Sequence, residues 1–263
     1  MRGPFVPTEL EAYLFDLRGY LVLEAAVKAD HVSRLNGILD TYQDMAPDTW
    51  RGNVHRVLDT TRSAHLHNIF EMGEDFESLI DHASWLDHIN RFVGGDGLCI
   101  DESFVDVRDT GHASPLHSGA HKRRIRTQFR FHNNEFRCGQ INILLALTDV
   151  GDGDGPTMII PGSHKSNLLH PAFRDRPTSL DEVPGAIEVP LKAGDALLFV
   201  DCSAHGAARR TNSGQRRMLI IRYGPHWAQD RYGYVPSDKL ISRLTPARRK
   251  IIQPLPPKRP PGL

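Results

Sequence analysis

Residues 141–165 read INILLALTDVGDGDGPTMIIPGSHK, and this stretch decides the fold. Ile141–Leu147 is a short apolar run with the composition of a strand. The cluster Gly151-Asp152-Gly153-Asp154-Gly155-Pro156 is turn chemistry: glycine reaches positive φ, Asp bonds its own backbone, and Pro presets φ. A second short run, Met158–Ile160, follows at once. Outward from this unit the same pattern recurs, as Leu98–Val107 and Ile125–Phe131 upstream and Ala186–Val189, Ala196–Phe199 and Met218–Tyr223 downstream. Many short strands at turn-punctuated spacing predict an antiparallel sandwich or barrel.

The first third has a different period. Thr8-Glu9-Leu10-Glu11 is a capping box that opens a helix to about Arg18, with Gly19 placed to end it. Tyr20–Leu23 reads as a strand. Asp30 caps a second helix whose apolar residues Val32, Leu35, Ile38, Leu39 and Tyr42 share one face. A third helix is predicted over Phe76–Phe92, with Leu79, Ile80, Ala83, Leu86 and Ile89 on its apolar side. Residues 53–70 are polar, rich in Arg and His, and show no period; Asn53–His67 is a candidate lid. The expectation is therefore one domain: a helical portion over residues 1–95, a β core over 98–226, and an extended Pro-rich strap over 245–263.

Composition narrows the function classes. The chain has 263 residues, with 32 Lys+Arg against 32 Asp+Glu. Zero net charge argues against a general nucleic-acid or anionic-membrane binder. No apolar run approaches the roughly 18 residues that a membrane span needs. The N-terminus lacks the apolar segment of a signal peptide. Cys99, Cys138 and Cys202 form no CxxC pair, which points to buried core residues in a reduced, cytoplasmic setting. Among the standard motifs, a P-loop, GxGxxG after a strand, GxSxG and HExxH are all absent. The unusual number is 14 histidines.

Two histidines stand out by context. His117 lies in Pro115-Leu116-His117-Ser118-Gly119-Ala120-His121. His205 follows the strand Ala196–Phe199, in Asp201-Cys202-Ser203-Ala204-His205-Gly206. Arg216 comes eleven residues after His205, at the start of the last strand. Its neighbour Arg217 must face the other way, because strand side chains alternate. His164 reads as a hydrogen-bonded loop residue. Arg123, Arg124, Arg126 and Arg130 form a basic run beside His117: a solvated edge, or a grip on an anionic substrate.

Three features together resemble the phytanoyl-CoA dioxygenase family of Fe(II)/2-oxoglutarate oxygenases. They are Pro161-Gly162-Ser163-His164-Lys165 after a Gly-Pro turn, Ala193-Gly194-Asp195 ahead of the strand that leads to His205-Gly206, and the His205 to Arg216 spacing. The resemblance runs from about Phe15 to Trp227. It implies a double-stranded β-helix, or jelly roll, with helices packed outside. It also implies Fe(II) held by His117 and His205, and 2-oxoglutarate gripped at its far carboxylate by Arg216. A guanidinium suits that task through bidentate, charge-assisted bonding. Gln140 or Asn142, by strand parity, and Thr157 are further candidates to support the cosubstrate. The implied partner is a small-molecule substrate, anionic if the basic run grips it; no oligomeric state follows.

The sequence departs from the family at Gly119, where the His-X-Asp pattern places its carboxylate ligand. Three outcomes follow. An anion such as chloride fills the position, as in the aliphatic halogenases, and halogenation competes with hydroxylation of an aliphatic C–H bond. Another side chain substitutes, His121 or one of Asp101, Glu102, Asp106 and Asp109. Or the site lacks turnover, leaving a binding or regulatory protein. A three-histidine, cupin-like metalloenzyme that uses His121 without 2-oxoglutarate is a further rival.

Overall fold

The structure is a computed structural model that describes residues 6–60, 62–94, 97–119, 127–228 and 235–253. The elements run in the order α1 (Glu9–Arg18), β1 (Tyr20–Leu23), α2 (Ala29–Asp40), β2 (Thr49–Arg51), β3 (Val54–Arg56), β4 (Ala64–His67), α3 (Glu74–Glu77), α4 (Ala83–Val93) and β5 (Leu98–Arg108). They continue with β6 (Ser114–His117), β7 (Phe129–His132), β8 (Glu135–Cys138), β9 (Ile141–Ala146), β10 (Thr157–Ile159), β11 (Ile187–Val189), β12 (Ala196–Val200), β13 (His205–Ala207) and β14 (Arg216–Pro225). Two short helices close the described chain, α5 (Asp238–Arg243) and α6 (Pro246–Ile252).

The strands form an eight-stranded sheet, β1-β12-β9-β14-β5-β4-β3-β2, a four-stranded sheet, β11-β10-β13-β6, and the hairpin β7-β8. The paired strands are antiparallel. The two larger sheets pack face to face. Phe104, Leu144, Ala146, Leu197, Phe199, Met218 and Ile220 of the large sheet share one apolar cluster with Ile159 and Val189 of the small one. The opposite face of the large sheet carries Ile141, Ile143, Leu145, Leu219 and Ile221. These join Phe15 of α1, Leu35 of α2 and Trp85 and Phe92 of α4 in a second cluster. The central strands are therefore buried on both faces, which is why they read as continuous apolar runs.

Local chemistry explains the elements. At the start of α1, the Thr8 hydroxyl accepts from the Glu11 amide while the Glu11 carboxylate accepts from the Thr8 amide. Gly19 ends the helix at φ 82°, in the left-handed region open to glycine. The helix expected over Phe76–Phe92 is instead broken into α3 and α4. The cause is His82, whose Nδ1 accepts from the Ser84 amide and caps a new start. Asp30 sits inside the first turn of α2 rather than at its cap, and its carboxylate pairs with Arg34 at 3.1 Å. The period-free segment 53–70 is not an open loop throughout: β3 and β4 extend the large sheet. Residues 246–252 of the expected strap are helical, with Pro246 in the first turn and Thr245 as cap, and residues 254–263 lie outside the described residues.

All three cysteines are free and buried. Among the described residues, no helix is long and apolar enough to cross a membrane.

Candidate active site

β6 and β13 lie side by side in the small sheet, in a register that puts His117 directly opposite His205. A bulge between His205 and Ala207 lets the strands approach closely. A Cβ on Gly206 would stand only 2.7 Å from the Ser114 carbonyl oxygen, so this position takes no side chain. The two imidazoles are thereby brought together, with ring centroids 4.2 Å apart.

Each ring is fixed in the same way. His117 Nδ1 lies 2.8 Å from the Pro115 carbonyl oxygen and His205 Nδ1 2.8 Å from that of Ser203, each two residues upstream. A carbonyl only accepts, so both Nδ1 atoms donate, and the lone pair of each neutral ring sits on Nε2. Burial and the neighbouring His205 push the pKa of His117 down to about 3, and burial lowers that of His205. At neutral pH both rings are uncharged and able to bind a metal. Phe199 meets His205 edge-on at 4.6 Å and closes one side.

The same cavity has a second, charged end. Its walls include Asn142, Thr157, Arg62, Asp106, Arg108, Arg216 and Arg222 beside His117 and His205. Of these lining residues, four are guanidinium groups and one is a carboxylate, so the pocket is net positive. Asp106 receives Arg62 at 2.7 Å and Arg108 at 3.2 Å. Burial opposes its charge, but Arg62 and Arg108 hold its carboxyl well below the usual range. Arg216 is only 2% exposed, and among the described residues it has no carboxylate partner. Burial and the nearby Arg108 lower its pKa to about 9, which still leaves it protonated at neutral pH. Among the described residues, Arg216 Nε and Arg108 Nε and Nη1 are buried donors that meet no hydrogen-bond partner. A buried donor set of this kind is suited to an anion.

Strand parity sorts the remaining candidates. Residues 216, 218, 220 and 222 of β14 face the cavity. Arg217 points to the other side, where it bonds Asn36 of α2 at 3.1 Å and Asp40 at 2.7 Å. Asn142 and Thr157 line the cavity; Gln140 does not, and instead donates to Asp101 at 3.2 Å. Glu102 pairs with Arg222, and Asp106 is engaged with Arg62 and Arg108. The backbone N–H of Asp109 donates to Ser63 Oγ at 2.9 Å. His164 is buried in a short 3-10 turn, Ser163–Lys165, with Nε2 3.0 Å from the Asp16 carbonyl oxygen. His121, Arg123, Arg124 and Arg126 lie outside the described residues; Arg130 is exposed and stacks over Trp227 at 5.6 Å. Among the described residues, no three His, Cys, Asp or Glu side chains are already grouped to hold a metal.

Gly119 sits two residues past His117 in a backbone conformation open to any residue, so space and not torsion keeps it glycine. A Cβ there would fall well inside contact distance of Asp201 Oδ2, and 2.9 Å from Thr127 Cβ. Asp201, four residues before His205, did not emerge from the sequence as a candidate. The signal was a carboxylate at the end of the strand leading to His205, in a chain whose HxG motif lacks one.

The model of the phytanoyl-CoA dioxygenase (PhyH) family matches residues 15–218. The chain belongs to this family. Among curated relatives, dioxygenase cdmD of Talaromyces verruculosus is 22% identical over 219 residues, covering 80% of this chain and 68% of the relative. The iron/alpha-ketoglutarate-dependent dioxygenase penM of Penicillium thymicola is 23% identical, covering 89% and 74%. Among solved structures, HygX of Streptomyces hygroscopicus with nickel and 2-oxoglutarate bound superposes with a TM-score of 0.68 at 23% identity, covering 84% of this chain and 88% of HygX. The phytanoyl-CoA dioxygenase family membership and this likeness place the chain among Fe(II)/2-oxoglutarate-dependent dioxygenases with a jelly-roll core.

Proposed function

We propose that the chain is a mononuclear oxygenase in which His117 and His205 hold Fe(II) and Arg216 binds the far carboxylate of 2-oxoglutarate, and that it oxidises an aliphatic C–H bond of a small molecule. One observation carries the reading. Two neutral imidazoles with committed Nδ1 atoms share a cavity with a buried, protonated arginine that has no carboxylate partner among the described residues. The residues fit the metal by their donor chemistry: two imidazole nitrogens suit iron, and the backbone bonds on the far side of each ring fix its tautomer and orientation. They fit the cosubstrate by charge, since a buried guanidinium with an unbonded N–H calls for an anion.

When bound, the iron supplies oxygen activation coupled to decarboxylation of 2-oxoglutarate. The protein's residues do the rest. Arg216 fixes the cosubstrate's far end and so its direction in the cavity. Asn142 and Thr157 present polar groups to the same cavity. Leu144, Phe199, Met218 and Ile220 line the same cavity and exclude water from it.

The substrate would be a small molecule that reaches the cavity walled by His117, His205 and Arg216. The HygX structure that holds hygromycin B supports the same substrate class. The choice between hydroxyl and halogen transfer turns on the space beside Gly119. There Asp201 brings a carboxylate oxygen, which repels chloride, so oxygen transfer is the favoured outcome.

The test is succinate formation from 2-oxoglutarate by the full chain with Fe(II) under oxygen, including the slow turnover that proceeds without a prime substrate. Succinate that depends on iron and falls with Arg216→Ala is expected. No succinate, together with no metal bound under anaerobic conditions, would reduce the protein to a binding role.

A further inference from the structure

The guanidinium groups that line the cavity are unequally matched by protein carboxylates. Arg62 stands against Asp59 and, at 2.7 Å, against Asp106 Oδ1, and Arg222 stands against Glu102. Arg108 has only the second oxygen of Asp106, and Arg216 has no carboxylate partner among the described residues. These last two face each other. β5 and β14 pair in a register that sets Arg216 directly opposite Arg108, and both side chains line the cavity. Side chains opposed in this way start about 4.5–5.5 Å apart at Cβ, and like charges so placed repel. Neither group escapes into water: Arg108 is 4% exposed and Arg216 2%.

Hydrogen bonding and charge point the same way. Arg108 donates from Nη2 to Asp106 Oδ2 at 3.2 Å, while its Nε and Nη1, and Arg216 Nε, meet no partner among the described residues. Asp106 cannot complete the set, because its other oxygen faces Arg62. Arg62, Arg108, Arg216 and Arg222 bring four positive charges, and the carboxylates against them, Asp59, Asp106 and Glu102, bring three negative ones. The group therefore carries an excess of one positive charge, at a place where buried N–H groups have no acceptor. A buried charge is tolerated when it is paired and hydrogen-bonded, so the excess calls for one anion. Arg108 is also, after burial, the largest influence lowering the pKa of Arg216 to about 9, which places the two guanidinium groups within electrostatic reach.

We infer that Arg108 is a second arm of the cosubstrate site, and that it closes together with Arg216 on the far carboxylate of 2-oxoglutarate. The inference rests on the assignment of Arg216 proposed above. A carboxylate has two oxygens and about four lone-pair sites, so it can accept from two guanidinium groups at once. It offsets the excess charge and takes N–H groups that Asp106 leaves over. Asp106 is then a positioning residue: by accepting from Nη2 it sets the orientation of the Arg108 guanidinium and leaves Nε and Nη1 for the ligand. The arrangement also confers selectivity. A 2-oxo acid without a far carboxylate leaves two buried arginines unpaired, and a site built around buried polar groups rejects the analogue that cannot pair them.

The experiment titrates 2-oxoglutarate, and separately 2-oxobutanoate, into the oxygen-free full chain with Mn(II) present, by calorimetry. 2-Oxobutanoate keeps the keto acid and lacks the far carboxylate. Wild type, Arg108→Met, Arg108→Lys and Arg216→Ala are compared, and thermal melts check that each is folded. Arg108→Met should weaken 2-oxoglutarate by about tenfold or more, the range for hydrogen bonds to a charged group. It should leave 2-oxobutanoate unchanged, a split that a merely structural role would not produce. Arg108→Lys keeps the charge without the planar donor set, so it should recover part of the loss. Should Arg108→Met fail to fold, Arg108→Lys carries the test, with a smaller loss confined to 2-oxoglutarate. Wild-type 2-oxoglutarate affinity in Arg108→Met, or in Arg108→Lys where it stands in, or an equal loss for both acids, overturns the inference. Selectivity that is lost in Arg216→Ala alone leaves the Arg216 assignment standing without a second arm. A wild type that binds neither acid, or both alike, overturns the Arg216 assignment itself and the second arm with it.

Discussion

The two ends of the cavity solve opposite problems. The histidine end is made from two short strands of the small sheet, and its groups are neutral, desolvated and held by backbone carbonyls. The arginine end is made from long strands of the large sheet, and its groups are charged and held by one another. A metal needs lone pairs, so the first end keeps protons off Nε2 by burial. A carboxylate needs N–H donors, so the second end gathers arginines that stay protonated despite burial and mutual repulsion, with Asp106 offsetting part of that cost. The lesson is that one low-dielectric cavity can do both, provided each end chooses its partners from different sheets.

The sharpest way to break this comparison is at the histidine end. His205→Ala removes one of only two described imidazoles in the cavity, and metal binding and succinate formation should both be lost, with the melting temperature little changed. Retained metal affinity in a calorimetric titration would show that the histidine pair is structural.

At the other end, Arg216→Ala should leave metal binding in place and weaken 2-oxoglutarate. Truncating one partner of a buried charge pair removes about 2–5 kcal/mol, roughly thirtyfold or more in Kd. A 2-oxoglutarate Kd unchanged in this variant would move the cosubstrate elsewhere.

Asp106→Asn probes what holds the charged end together. It leaves Arg62 and Arg108 buried with less compensation, and the expected loss is about 3–5 kcal/mol of stability at neutral pH. The sign with pH is fixed by linkage. The carboxyl of Asp106 is held below its unfolded value, so its contribution is full above an unfolded pKa of about 3.9 and is lost as pH falls through the lower, folded value. Denaturant midpoints of wild type and variant should therefore converge in acid; a gap that stays constant down to the acid transition would contradict the assignment.

The smallest effect is expected at Thr157→Val, which keeps the shape of the wall and removes one hydroxyl. A loss of about 0.5–1.5 kcal/mol in 2-oxoglutarate affinity is the range for one ordinary hydrogen bond. A change as large as that of Arg216→Ala would mean that Thr157, not the arginine, anchors the cosubstrate.

The sequence made the large sheet easier to read than the small one, for a physical reason. β9, β12 and β14 are buried on both faces, so their apolar runs are unmistakable. Alternation along β14 also separated Arg216 from Arg217. By contrast, Ser114–His117 and His205–Ala207 are short and carry Pro, His and Gly; their pairing comes from the bulge and the close approach at Gly206. The segment around β3 and β4 was opaque because its Arg and His residues are satisfied by ion pairs across the sheet, such as Arg62 with Asp106, rather than by apolar alternation. The helix break at His82 depends on a single cap. Asp201 was illegible for another reason: its meeting with Gly119 spans 82 residues and exists only once β12 and β6 are docked.

The central claim is that one cavity joins a metal at the histidine end to 2-oxoglutarate at the arginine end. The direct measurement is a titration of 2-oxoglutarate into the oxygen-free full chain, with and without Mn(II), in wild type and Arg216→Ala. The account predicts at least about tenfold tighter binding with metal present, a coupling of about 1.4 kcal/mol, and weaker binding in the variant under both conditions. An affinity independent of both the metal and Arg216 would contradict it.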